Sequence, residues 1–214
     1  GGNASLTLQS AGSIFVNSGA NISSTSGALN VTLNSRLEDG FVTNAAGAIR
    51  INGATISSNG GDIILGGGLN PLTMPAIGTA LNDDGIVLTG GATLLAGAGS
   101  TSMRGEGVAG SSSSNTYGVG VLGGSVVRST TGAISINGVG GLVGTTSSNY
   151  GIVLGDTGTR ISTAGGAINL TGSAGGDTGA GGFHFGIALL PGAVIESTGT
   201  GTITLLGSGG ATLT

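Results

Sequence analysis

The chain has 214 residues, 49 of them glycine, and sets five arginines and no lysine against nine acidic residues, for a net charge of −4. It has no cysteine, which excludes disulfides, thiolate metal sites and a thiol nucleophile. No basic cluster is present to neutralise phosphates, which argues against nucleic acid as a partner, and glycine does not fall at every third position, which excludes a collagen helix.

Six glycines, Gly19, Gly53, Gly91, Gly124, Gly158 and Gly192, each precede an aliphatic residue by three positions, at spacings of 34, 38, 33, 34 and 34. A fixed period of this size marks a solenoid, in which each repeat buries its apolar side only against its neighbours. The units run approximately over 13–47, 48–84, 85–117, 118–150, 151–185 and 186–214. Glycine at this density belongs at tight corners, where φ is often positive.

In chain order, Ser5-Leu6-Thr7-Leu8 reads as a third strand with no first or second strand before it. Each unit then holds three short strands of alternating character. The first pairs aliphatic residues: Ile14/Val16, Ile49/Ile51, Ile86/Leu88, Val119/Val121, Ile152/Leu154 and Ile187/Leu189. The second centres on Ile22, Ile56, Leu94, Val127, Ile161 or Ile195. The third carries Leu29/Val31/Leu33, Ile63/Leu65, Ile134/Ile136, Ile168/Leu170 or Ile203/Leu205, and in the third unit gives way to Ser102-Met103-Arg104. Between second and third strands runs the corner motif aliphatic-x-Ser/Thr-x-x-Gly-x-aliphatic, as from Ile56 to Ile63 through Gly61, and from Ile161 to Ile168 through Gly166. The remainder of each unit, 34–47, 66–84, 105–117, 138–150 and 172–185, reads as excursions leaving the coil at one corner. The longest, with Pro71 and Pro75, is expected to project irregularly, and Ala211-Thr212-Leu213-Thr214 opens a coil that does not finish.

Three strands per turn with one apolar stripe per strand predict a right-handed parallel β-helix of about six coils, with Ile, Leu and Val inward and Ser135, Asn169 and Thr204 toward water. No stretch is continuously apolar for the ~18 residues of a membrane helix, so membrane insertion is not expected. The first residues show neither a basic nor an apolar leader region, the pattern of a mature protein or an internal segment. Uncapped ends predict end-to-end self-association, or continuation in a longer chain.

Catalysis on such a scaffold needs carboxylates gathered on one face. Here the acids fall on different repeat positions, paired only as Glu38/Asp39 and Asp83/Asp84, and the single imidazole, His184, has no acid partner in sequence. No catalytic residue, cofactor or metal is therefore assigned. Gly60-Gly61-Asp62 and Gly175-Gly176-Asp177 are fragments of a calcium-roll pattern that lacks its nine-residue period, and the outward positions are too mixed for an ice-binding array. Of the aromatics, Phe15, Phe41 and Phe183 stand apart, whereas Tyr117, Tyr150 and Phe185 share one repeat position, just before the glycine that opens a coil, with Asp84 in that place one unit earlier. These rings should stack. Two readings follow: a platform for glycan, or pins that hold each excursion on the shaft.

Segments such as Gly53-Ala54-Thr55-Ile56-Ser57-Ser58-Asn59-Gly60-Gly61-Asp62-Ile63-Ile64-Leu65, Asn149-Tyr150-Gly151-Ile152-Val153-Leu154 and Ile161-Ser162-Thr163-Ala164-Gly165-Gly166-Ala167-Ile168-Asn169-Leu170-Thr171-Gly172 resemble repeats of the filamentous-haemagglutinin-like bacterial exoproteins. The resemblance spans essentially the whole chain. It implies a right-handed β-helical shaft displayed at the bacterial cell surface or secreted, and used in adhesion, aggregation or biofilm matrix building; with no catalytic residues assigned, the chain reads as a non-enzymatic fibre or filament segment of such a protein. The other reading is an adhesin module that binds a glycan or cell-surface receptor through its excursion side.

Overall fold

The structure is a computed structural model and describes residues 2–37, 46–110, 115–141, 148–176 and 184–210. The expected features at Glu38/Asp39, Phe41, Asp177, Phe183 and 211–214 lie outside these residues.

Among the described residues, every strand of the coil lies in one of three parallel sheets. The first sheet stacks Ile14–Val16, Ile49–Asn52, Ile86–Thr89, Asn115–Val121, Ser148–Leu154 and Ile187–Leu189; the second stacks Asn21–Ser23, Thr55–Ser57, Thr93–Gly97, Val126–Ser129, Arg160–Thr163 and Val194–Ser197. The third runs Ala4–Gln9, Leu29–Ser35, Ile63–Gly67, Thr101–Glu106, Ile134–Val139, Ile168–Ser173 and Ile203–Ser208. The fold is thus the expected parallel β-solenoid, a stack of three-sided coils.

The columns fall in the expected register. Ile49 stands over Ile14 and under Ile86, Ile161 joins Val127 to Ile195, and Ile168 joins Ile134 to Ile203. In the inner coils these side chains are sealed, Ile49, Ile56, Ile63, Leu88, Ile134 and Ile168 all at 0% exposure. Burying one such side chain contributes roughly 1.5–3 kcal/mol, so the core is a line of near-equal aliphatic contributions along the axis. The third unit, where the aliphatic pair is missing, forms its strand all the same: Met103 fills the column between Leu65 and Ile136. Thr101 takes the place of an isoleucine between Ile63 and Ile134, with its hydroxyl buried and unpartnered among the described residues.

Glycine serves two different corners. The six periodic glycines turn the chain from first to second sheet, and all have positive φ, from 60° at Gly53 to 91° at Gly158. The second corner, from second to third sheet, needs glycine for closeness. A Cβ on Gly132 would overlap the Gly99 carbonyl, and one on Gly166 would overlap that of Gly132. The corner hydroxyl closes the turn, as Ser129 Oγ donates to the Gly97 and Gly99 carbonyls at 3.0 and 2.9 Å.

The excursions are narrower than expected. The third sheet keeps Asn34, Ser35, Gly66, Gly67, Gly105, Glu106, Gly138, Val139, Gly172 and Ser173 in its ladder, and the first sheet already contains Asn115 to Tyr117 and Ser148 to Tyr150. Glycine is the reason: a Cβ on Gly138 or Gly172 would overlap the carbonyl of Gly151 or Gly186 across the corner, so the two sheets meet backbone to backbone. The Pro71–Pro75 segment also departs from expectation. After its turn it returns as a short strand, Ala76–Ile77, that pairs with Gly105 and Glu106 and buries Ala76 completely. Arg36 Nε donates to the Pro75 carbonyl at 3.0 Å and Arg104 Nε to that of Leu72 at 3.2 Å, which ties the segment down at two levels.

Candidate functional site

The residue before each coil-opening glycine leaves the excursion and enters the first sheet, so the repeat places its side chain on the outside of one corner. Tyr117 pairs with Tyr150 in the ladder. Their ring centroids are 5.7 Å apart at 39°, and Tyr150 and Phe185 stack at 5.9 Å and 19°. The three residues named from the sequence do form one aromatic column.

The Tyr117 ring leans over the outer face of the first sheet. A Cβ on Gly120 would lie 3.3 Å from Tyr117 Cδ2, and the outward-facing Val87 and Val153 are only 3% and 1% exposed. Beside this column Thr116 Oγ1 donates to Asn149 Oδ1 at 2.5 Å, and both residues are buried. A sugar platform needs open ring faces along the column, whereas Tyr150 packs between Tyr117 and Phe185, and only Phe185, 47% exposed, is left largely open. The geometry favours the pinning reading.

One coil earlier Asp84 holds the aromatic position, and its Oδ1 accepts the Tyr117 N–H at 2.8 Å. Burial pushes the Asp84 carboxyl up to about 7, against the pull of the Tyr117 N–H, with neighbouring Asp83 raising it further and Arg50 lowering it. Burial also raises the Tyr117 hydroxyl, reinforced by the charge of Asp84. The carboxyl therefore works as a backbone acceptor at the foot of the stack.

The remaining candidates separate. Asp62, part of the calcium-like fragment, accepts the Ser100 N–H at 2.8 Å, while its own N–H donates to Asn30 Oδ1 at 2.9 Å and the Ala133 N–H donates to Ser100 Oγ at 3.2 Å. This polar column stitches successive coils together. His184 is nearly buried, at 9% exposure. Among the described residues, no three His, Asp or Glu side chains gather as a metal-binding group. The outer face of the second sheet, where Arg128, Arg160, Ser162 and Glu196 border a cleft of about 350 Å³, was not legible as a site in the sequence. Its signal was a small serine between two long charged side chains at one repeat position, visible only once the repeats are aligned.

The fold and corner define a three-sided parallel β-solenoid with an external aromatic column. No family model, no curated protein and no solved structure matches the chain.

Proposed function

We propose that this chain is a structural segment, a stiff extracellular shaft or fibre of a bacterial surface protein, without enzymatic activity. The observation that carries the reading is the parallel pairing of successive coils in all three sheets, with one register shift, between Leu95 and Gly97, among the described residues, around a core of aliphatic columns and without a disulfide. Continuous backbone ladders resist bending and stretching along the axis, and the composition of Ser, Thr, Asn and Gly supplies a hydrated exterior without many charges. The repeat segments quoted above, with their likeness to filamentous-haemagglutinin-like exoproteins, support display outside the cell.

Self-association or continuation of the array belongs to the same proposal. At the outermost described coil Leu189, Ile203 and Leu205 are 48%, 42% and 44% exposed, and a further coil, from the same chain or a second copy, would cover them. Electron cryo-microscopy of the purified chain tests this. Rods that join end to end into filaments with a layer spacing of ~4.8 Å are the expected result. Compact particles that stay dispersed at high concentration, with no axial growth, would overturn the stacking and weaken the case for a fibre.

A further inference from the structure

The five arginines divide into two groups. Arg36 and Arg104 hold the Pro71–Pro75 segment, and Arg50 Nη1 reaches Asn82 Oδ1 of the same excursion at 3.5 Å. Arg128 and Arg160 stand instead on the outer face of the second sheet, which flanks no excursion. There, Leu95, Arg128, Ser162 and Glu196 succeed one another in a single outward column. The short Ser162, 5% exposed, leaves a notch between the two long side chains. Arg160 walls one side, and Thr130, Ala164 and Thr198 on the corner wall the other.

The notch opens into a longer trough. A second hollow of about 190 Å³ shares Arg128, Ser129 and Thr130 with the first and reaches Leu95 and Gly97 on the coil below. Gly97 lies at the β-bulge where register shifts between Leu95 and Gly97, which sets the corner back. From Leu95 to Glu196 there are three inter-strand steps, about 14 Å at the usual spacing, the length of a short oligosaccharide rather than of one ring.

The chemistry of the walls narrows the ligand. Arg160 is already paired with Glu196. Arg128 is exposed and makes no hydrogen bond or ion pair among the described residues, so its guanidinium is available to a carboxylate. Ser162 offers a hydroxyl to a ligand hydroxyl, Thr130 Oγ1, which donates to the Gly97 carbonyl at 2.7 Å, can accept from one, and Leu95 offers an apolar surface for a ring's C–H face. A peptide fits less well. The strands that carry Leu95, Arg128 and Ser162 are paired on both edges, and the open edge of Val194–Ser197 lies at the end of the trough, so strand addition would not fill it.

We propose that this trough binds a linear acidic glycan, a run of hexuronate-type sugars laid along the coil axis with one carboxylate on Arg128. The site is separate from the excursion corner, and it stands or falls independently of the shaft reading.

The test is calorimetric titration of the intact chain with tetragalacturonate. The comparison ligands are a neutral galactose tetramer, galacturonate monomer and a tetraglutamate peptide. Circular dichroism checks that each variant keeps its strand signal. Wild type and Ser135→Ala, an outward change on the third sheet, should bind tetragalacturonate equally. Arg128→Gln, which removes the cation, and Ser162→Leu, which fills the notch, should each bind at least tenfold more weakly. Absence of binding at millimolar tetragalacturonate would overturn the proposal, as would undiminished binding by Arg128→Gln. Equal affinity for the neutral tetramer, the monomer or the acidic peptide would likewise refute a linear acidic glycan as the ligand.

Discussion

Leu170 and Leu205 stand one above the other in the same inward column of the third sheet, yet Leu170 is fully buried and Leu205 is 44% exposed. Ile168 and Ile203, two residues earlier on the same strands, differ in the same way, at 0% and 42%. Residue type, strand and register are matched in each pair. The only difference is a coil above. Burial in this fold is therefore made by the neighbouring repeat, which is why a solenoid's stability grows with length and why one repeat alone has none to offer.

The largest expected effect comes from placing a charge in the sealed column. Ile168→Asp puts an unpaired carboxylate among aliphatic side chains and should abolish the cooperative unfolding transition in thermal or denaturant melts. Ile203→Asp, the same change one coil on, should leave a folded protein with a reduced midpoint. Equal damage from the two would show that the outer coil is covered in solution. Ser135→Asp, outward between the same columns, should change stability by less than about 0.5 kcal/mol.

The second contrast is between glycines. Gly132→Ala drives a Cβ into the Gly99 carbonyl, and the stacked backbone cannot yield without breaking the ladder, so loss of several kcal/mol is expected. Gly176→Ala meets nothing within 4 Å and should leave the melting midpoint unchanged.

Thr101 sharpens the comparison from the other direction. It sits at an isoleucine position inside the array with a buried, unpartnered hydroxyl. Thr101→Val keeps the shape and removes the unsatisfied group, so denaturant unfolding should show a gain of about 1 kcal/mol. A loss would mean that the hydroxyl has a partner in solution.

The smallest effect is the pH dependence at Asp84. Its folded value is raised from 3.8 to about 7, so the folded chain binds this proton more tightly than the unfolded chain. Its contribution is most favourable below about 4, declines as pH rises through the window to about 7, and is level above it. The side chain is only partly buried, so the change in melting temperature should be a few degrees at most. Asp84→Asn should flatten that part of the profile; an unchanged slope would place the titration elsewhere.

Much of this architecture was legible in the residues. The spacing of the six marker glycines and the paired aliphatics determined three strands per coil, the inward columns and their register, because a ladder of identical repeats admits one low-energy alignment. The aromatic column was legible for the same reason: Tyr117, Tyr150 and Phe185 recur at one position, and position fixes neighbourhood. Their role was not legible. Whether a ring shows a face or an edge depends on how it leans, as Tyr117 does over Gly120, which is a matter of rotamer and packing.

The excursion boundaries were beyond the sequence too. Gly105, Gly138 and Gly172 look like loop residues by composition, but the third and first sheets approach so closely there that only glycine can continue the ladder. The return of Ala76–Ile77 likewise depends on Arg36 and Arg104 meeting carbonyls 39 and 32 residues away in the chain. The second-sheet cleft arises from Ser162 lying between Arg128 and Glu196, residues more than thirty positions apart that share a column. Sequence by itself determined the period, the inside and the stacking register, since these follow from local alternation repeated along one axis. Only the tertiary structure decided what the outside does, because a surface is built from side chains of different coils whose shapes and charges meet only after the coils have stacked.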